Sequence, residues 1–364
     1  MANIFSVPDI YYGENALASL GQLDLKRVAI VTDDFMLSSG KVNQLIAAMP
    51  QAAVAIYSGV RADPDTTVLQ AGTEKFKAFQ PDAIVALGGG SSLDAAKGIK
   101  VTLEEFNPAV HIRLIAIPTT SGSGSEVTAY AVISDTESGS KYPLISDALL
   151  PDITLLDARL VLSVPKSVTA DTGMDVLTHA IEALVSTGAN DFSDALAEKA
   201  VALTARYLPY AYSEPDNLCA RTHMHHASCL AGIAFNSAGL GLVHGMAHAV
   251  GGMLHLPHGR INAMLLPLVI EFNSEQAAAQ MRYRLCARLM DAEDLPQAVR
   301  ALNRQFGIPA TLKEMGTDLT KLAKLRPILI RMALADGCTA TNPRQASVQD
   351  VDRLLTRLAG ESGE

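Results

Sequence analysis

Two kinds of apolar patterning divide this chain. Through about residue 164, short unbroken apolar runs alternate with amphipathic stretches. The runs are 27–32 (RVAIVT), 52–57 (AAVAIY), 82–87 (DAIVAL) and 112–117 (IRLIAI). Segments rich in valine and isoleucine, with no polar alternation, suit strands buried on both faces of a parallel sheet. Between them, 41–49, 67–79 and 92–103 carry helical spacing. Strand and helix in alternation predict an open, doubly wound, Rossmann-like α/β layer. From Pro165 onward the pattern changes. Segments 172–186, 194–207, 217–235 and 327–335 carry helical periodicity and are dominated by alanine, leucine and methionine, which favour helix. The expected organisation is an α/β domain over 1–164 that binds a dinucleotide, then an all-α domain over 165–364 that carries the metal and the catalysis.

Composition narrows the class. Hydrophobic residues make up 49% of the chain and charged residues 18%, the latter below the usual level of about 25%. A chain this apolar buries a core, which excludes disorder, and its low charge suggests a surface covered by a second copy, a homodimer. Lysine and arginine number 29 against 38 aspartates and glutamates, for a formal charge of −9. An acidic chain without a basic run does not grip nucleic acid. Cys219, Cys229, Cys286 and Cys338 are scattered, with no CxxC pair, which fits a reduced cytoplasmic setting. The first residues lack a basic stretch followed by an apolar core. The longest apolar run, near 263–270, falls well short of the ~18 residues needed to span a bilayer. We therefore expect a soluble protein with no membrane partner.

Candidate chemistry begins at 82–97, DAIVALGGGSSLDAAK. A buried strand, three glycines and a helix form the arrangement in which exposed amides at a helix start bind an anion. Ser91 and Asp94 are spaced as a capping box that would start that helix. GxGxxG is absent, so an ordinary strand-to-helix turn is the competing interpretation. A second loop, 114–128 (LIAIPTTSGSGSEVT), also follows a strand, and its Thr119, Thr120, Ser123 and Ser125 could hydrogen-bond phosphate or ribose. Two such loops at strand ends point to a shared crevice. Asp33, ending the RVAIVT run, could accept hydrogen bonds from adenosine ribose hydroxyls and would repel a 2′-phosphate, favouring NAD over NADP. A plain turn at the strand end is its other role.

Seven of the nine histidines lie between His223 and His258. His223, His225 and His226 are too close in sequence to share one helix face, and we take them as structural or exposed. The segment 241–259, GLVHGMAHAVGGMLHLPHG, is different. His244 and His248 are four apart on one helical face, with His258 tethered close by and His255 as its rival. Upstream, Asp175 and His179 in GMDVLTHAIEA are also four apart. Two such pairs, offering one carboxylate and several imidazoles, are what a divalent metal needs. Without a neighbouring cysteine, the set suits Fe(II), with Zn(II) as the alternative. A metal in one domain and a dinucleotide in the other suggest Lewis-acid redox chemistry in the cleft between them.

These motifs, with the late TNPR at Thr341 and the order in which they occur, resemble the iron-containing (group III) alcohol dehydrogenase family over nearly the whole chain. Within the family the chain is similar to the short propanol dehydrogenases of diol-degrading microcompartments. The resemblance implies Asp175, His179, His244 and His258 as metal ligands, and His248 as the catalytic histidine near substrate and nicotinamide. It places the pyrophosphate loop on Gly89, Gly90 and Ser91 and further nucleotide contacts on Thr119, Thr120, Ser123, Lys141 and Leu160. Asp63 falls where relatives often carry asparagine. It also implies a homodimer, located in the cytoplasm or inside a microcompartment.

The expected activity is reversible hydride transfer between NAD(H) and a small primary alcohol or aldehyde, such as propanol and propanal or ethanol and acetaldehyde. A glycerol-type polyol dehydrogenase or a lyase resembling dehydroquinate synthase is the alternative on the same scaffold. The apolar surroundings of the ligands argue against their larger, more charged substrates. A catalytically silent binding or assembly protein is the alternative from another class.

Overall fold

The computed structural model describes residues 4–134 and 141–361. Two compact units meet in sequence at Val164 and Pro165.

In the first unit the strands are β1 (Asp9–Tyr12), β2 (Arg27–Asp33), β3 (Ala53–Val60), β4 (Ala83–Gly88), β5 (Arg113–Pro118), β6 (Tyr130–Ser134), β7 (Lys141–Ile145) and β8 (Ile153–Leu156). The helices are α1 (Asp34–Ser38), α2 (Lys41–Ala48), α3 (Thr66–Lys77) and α4 (Gly90–Phe106). Six strands form one parallel sheet in the order β1-β8-β5-β4-β2-β3, while β6 and β7 form an antiparallel pair. Side chains alternate across the sheet. Val28, Ile30, Val85, Leu87, Ile115 and Ile117 join the cluster under α2. Ala29, Val31, Ile84, Ala86, Leu114 and Ala116 join the one under α3 and α4. Burial on both faces is why these strands read as unbroken apolar runs, and the doubly wound fold expected from them is present. Strands β1 and β8 escaped the sequence pattern because each has four residues.

This strand order positions the chemistry. From β2 the chain runs outward to β3, then returns to the other side of β2 for β4, so the topology reverses between β2 and β4. In open α/β sheets ligands bind outside the carboxyl ends of the strands at such a point. Asp33 and Gly88 end those two strands, and Gly88 is in register with Pro118 at the end of β5.

The second unit is helical among the described residues: α5 (Lys166–Val185), α6 (Asp191–Ser213), α7 (Leu218–Ala238), α8 (Leu242–Leu254), α9 (His258–Asn273), α10 (Ala277–Leu289), α11 (Leu295–Gln305), α12 (Leu319–Ala335) and α13 (Val348–Ala359). Helix α12 begins eight residues before the apolar pattern at Pro327 suggests. Asp318 caps it by accepting from Thr320 and Lys321 N–H, and the helix continues through the proline. Helix α5 lies at the centre of the unit, buried from Gly173 through Val185. Among the described residues, no single helix is long and apolar enough to cross a membrane.

Candidate metal centre and cofactor loops

Helix α8 carries His244 and His248, and its start is capped from elsewhere in the chain. Its N-cap, Gly241, has no side chain to offer. The first amides are satisfied instead by Asn342 Oδ1, which accepts from Leu242 at 3.1 Å, and by Glu182 Oε1, which accepts from Val243 at 2.7 Å. Helix ends leave such amides orphaned unless something caps them. Asn342 belongs to the TNPR motif, so that motif is a cap for the histidine helix. Gly245 brings α8 against the same late segment: a Cβ there would lie 2.0 Å from Thr339 Oγ1.

Three of the expected ligands converge. One ligand atom each from Asp175, His244 and His258 lies within 4.8 Å of the others. Asp175 Oδ1 stands 3.7 Å from both His244 Nε2 and His258 Nε2. The fourth, His179, is outside this mutual triple, yet its Nε2 is 4.0 Å from Asp175 Oδ1 and its ring stacks on His244 at 4.6 Å. His255, the rival of His258, is excluded, because it terminates α8 in the left-handed conformation and is exposed. Gly259 lets α9 approach α5: a Cβ there would sit 2.2 Å from Asp171 O and 3.2 Å from Asp175 Cβ.

Charge is balanced locally. Burial works to raise the Asp175 carboxyl, but His179, His258 and His244 outweigh it and hold it well below the usual carboxylate range. Burial likewise works against a charged His244, yet Glu182 and Asp175 raise it to about 9. Glu182 Oε2 is 2.5 Å from His244 Nδ1, which leaves Nε2 directed to the convergence. A carboxylate behind a ligating imidazole fixes its tautomer and strengthens it as a donor. His258 is held low by burial and by the neighbouring imidazoles, against the pull of Asp175.

Asn262, one turn beyond His258, tests whether the set fits a cation. Its Nδ2 lies 2.6 Å from Asp175 Oδ1, 3.1 Å from His244 Nε2 and 3.0 Å from His258 Nε2. Its two amide protons face a carboxylate oxygen and two ring nitrogens, and the buried Oδ1 of the same amide has no partner among the described residues. Buried polar groups are normally satisfied. One carboxylate oxygen and two imidazole nitrogens focused on a single amide fit a divalent ion once His244 gives up its Nε2 proton, and such nitrogen and oxygen donors suit Fe(II) or Zn(II). The set is open on one side only. The His258 side chain is 39% exposed and that of His248 30%, against 8% or less for the other three. A catalytic metal site keeps such an open side.

In the α/β unit the two loops interlock. Gly88 has φ +153°, and a Cβ there would stand 2.3 Å from Ser92 Oγ. Cβ atoms at Gly89 and Gly90 would lie 3.4 Å from Thr120 and 3.0 Å from Ser123. Thr119 N–H donates to Gly88 O at 2.9 Å. The expected capping box is absent. Helix α4 starts at Gly90 with Gly89 as its N-cap and no side-chain cap, so Ser91 is already inside it. The Asp94 carboxylate instead accepts from Ser125 Oγ at 2.6 Å and Val132 N at 3.0 Å. Ser125 is therefore spent on the scaffold. Among the described residues, the first amides of α4 have no side-chain partner, as an anion site requires. Lys97, wholly buried, donates to the Thr128 and Tyr130 carbonyls at 2.7 and 2.6 Å, tying α4 to the second loop. Burial pulls its ammonium down to about 8 against the pull of Asp94 and Glu126.

The remaining expected contacts fall variously. Asp33 spends Oδ1 capping α1 through Met36 N at 2.8 Å, while its Oδ2 lies 3.5 Å from a Cβ placed on Gly88. Asp63 is exposed, with a left-handed φ of 54°. The Leu160 side chain belongs to the core cluster, which leaves its backbone for any contact. Lys141 begins β7, and its side chain lies outside the described residues.

Two family models match the chain: "Iron-containing alcohol dehydrogenase" over residues 8–158 and "Fe-containing alcohol dehydrogenase family, C-terminal" over 169–359. This chain belongs to the iron-containing alcohol dehydrogenase family. It is 42% identical over 361 residues to the 1-propanol dehydrogenase PduQ of Citrobacter freundii, covering 96% of this chain and 97% of that one. It is 36% identical over 378 residues to an NADPH-dependent butanol dehydrogenase of Clostridium saccharobutylicum, covering 96% of each. The crystal structure of a 1,3-propanediol oxidoreductase superposes with a TM-score of 0.91 at 34% identity, over 98% of this chain and all of the other. The family expectation drawn from the motifs is correct, and the chain is an oxidoreductase of the iron-containing alcohol dehydrogenase type.

For this iron-containing alcohol dehydrogenase, sequence reasoning missed Glu182, Asn262 and Asp336. Glu182 lies inside the quoted motif, seven residues after Asp175, so helical spacing already put it on the ligand face. Asn262 follows His258 by four. Asp336 Oδ2 is 2.9 Å from His248 Nδ1 across 88 residues, a partnership no local spacing carries.

Proposed function

We propose that the chain catalyses reversible hydride exchange between NAD(H), bound through the α/β unit, and a small primary alcohol or aldehyde, bound through the helical unit. The observation that carries this is the convergence of Asp175, His244 and His258, with His179 beside them, open on the side of His258 and His248. Asp175, His179, His244 and His258 would hold the ion, Fe(II) by donor type and family, with Zn(II) as the alternative. When bound, such an ion supplies Lewis acidity for a carbonyl or alkoxide oxygen. Glu182 keeps Nε2 of His244 turned inward. His248, on the open side, holds or moves the proton of the substrate oxygen. The segment 241–254 that carries His244 and His248 is otherwise apolar, which supports a short, uncharged substrate.

The first amides of α4, with Gly89, Gly90 and Ser91, would hold the pyrophosphate, and Thr119, Thr120 and Ser123 line the adjoining loop. Asp33, at the reversal of strand order, favours NAD over NADP by repulsion of a 2′-phosphate. Asp63, Lys141 and Leu160 are carried as contacts by the family resemblance. The same resemblance supports a homodimer, located in the cytoplasm or in a diol-degrading microcompartment.

The test is aldehyde reduction by protein purified without oxygen, stripped of metal, then reconstituted with Fe(II) or Zn(II), using NADH and NADPH in parallel. Propanal, butanal, glycerol and 1,3-propanediol form the substrate panel. Turnover should vanish on stripping, return with metal and prefer NADH and the short aldehydes. Full turnover by stripped protein would refute the proposal.

A further inference from the structure

The late segment that caps α8 touches it a second time, at His248. Asp336 ends α12, and its Oδ1 accepts the Cys338 N–H at 2.8 Å while its Oδ2 meets His248 Nδ1 at 2.9 Å. Thr339 Oγ1 donates to Ala333 O at 2.6 Å, closing the turn that presents the carboxylate. Burial disfavours charge on Asp336, yet His248 and the Cys338 amide outweigh it and bring the carboxyl down to about 2. An ionised carboxylate only accepts hydrogen bonds, so Nδ1 of His248 carries the shared proton and Nε2 is the acceptor of the neutral ring. The ring plane is set as well. It stacks on His258 at 5.3 Å with planes 15° apart and meets His244 edge-on at 5.9 Å.

We propose that Asp336 is a positioning residue for the reaction: it holds His248 as the Nδ1–H tautomer, so that Nε2 is the nitrogen that exchanges the proton of the substrate oxygen. This rests on the role given to His248 above. In the oxidative direction the O–H bond of the alcohol breaks and its proton bonds to Nε2. The carbinol C–H leaves as hydride to the oxidised cofactor, and the imidazolium so formed is paired with Asp336. In reduction the same proton returns to the alkoxide. A carboxylate that orients an imidazole and stabilises its cation is a recurrent arrangement in proton-transfer sites.

The test combines a double-mutant cycle with a direct reading of the ring. Asp336→Asn keeps the shape and the Cys338 hydrogen bond but removes the charge. It should lower kcat about 10–100-fold, the range of partners that orient a working imidazole. KM for aldehyde and NADH should move less than about threefold, with metal content unchanged. In a His248→Ala background the same substitution should change kcat less than about twofold, because coupled residues do not add. In zinc-substituted, 15N-histidine-labelled enzyme, His248 should be protonated at Nδ1, and Asp336→Asn should move that proton to Nε2. Asp336→Glu should recover part of both signals. Equal losses of kcat in both backgrounds, or an unchanged tautomer, would overturn the proposal. If His248→Ala leaves kcat intact while the tautomer still responds to Asp336, the hold on the ring is upheld and the proton role of His248 in the proposed function is overturned.

Discussion

In the α/β unit the candidate chemistry rests on the backbone: three glycines, the open amides of α4 and a buried lysine that stays out of sight behind the loop. In the helical unit it rests on side chains, several of which are held by other side chains. Asn342 and Glu182 hold the start of α8, Glu182 holds His244, Asn262 spans the candidate ligands and Asp336 holds His248. A backbone site is damaged by adding atoms. A side-chain site is damaged by removing them, or by removing what stands behind them.

The largest expected effect tests the helical side of that contrast. His258→Ala should abolish metal retention and, because a metal contributes several kcal/mol to such chemistry, lower turnover by at least about 10³-fold. NADH binding, followed by fluorescence, should be unchanged; its loss would show that the two kinds of site are not separable. Next comes the addition of atoms. Gly90→Val places a Cβ 3.0 Å from Ser123 and covers the amides at the start of α4. With two charge-assisted hydrogen bonds of roughly 1.5–3 kcal/mol at stake, NADH affinity should fall about 10²-fold while metal content, measured by elemental analysis, holds. A Gly90→Val protein that binds NADH normally would move the nucleotide away from this loop.

Smaller effects sharpen the role of the supports. Glu182→Gln should weaken metal affinity by about 10–100-fold, the usual effect of losing a partner behind a ligand, as read by competition with a chelator. The smallest signal is a proton. In metal-free protein His244 is raised to about 9, so near pH 7.5 metal binding should release about one proton, seen by calorimetry in buffers of different ionisation enthalpy. The sign for stability follows. A folded pKa above the unfolded value of about 6.5 gives stabilisation that is complete below that pH and lost as pH rises through about 9. The melting temperature of metal-free protein should fall across that window, and that of metal-loaded protein should not.

Regular spacing made much of this legible. Unbroken apolar runs marked the strands β2 to β5 because burial on both faces leaves no room for polar alternation. The i, i+4 pairs marked Asp175 with His179 and His244 with His248 because a helix repeats its face each turn, and the family resemblance chose His258 over His255 and set His248 apart. What spacing hid was partnership. Ser91 and Asp94 had the separation of a capping box, but the glycines start α4 two positions earlier and Asp94 serves Ser125 and Val132 instead. Pro327 resembled a helix start, and the cap at Asp318 lay outside the apolar pattern. Asp336 and Asn342 act on α8 from far along the chain, a relation that only the folded backbone creates.

Gly259 carries a consequence for ion choice. Its missing Cβ lets two helices touch through peptide atoms, so the gap between Asp175 and His258 is gauged by main chain rather than by yielding side chains. An ion that accepts imidazole nitrogen beside carboxylate oxygen suits the donors so placed. Calcium, which needs several more oxygens, would find one carboxylate among imidazoles there, so abundance alone would not let it in.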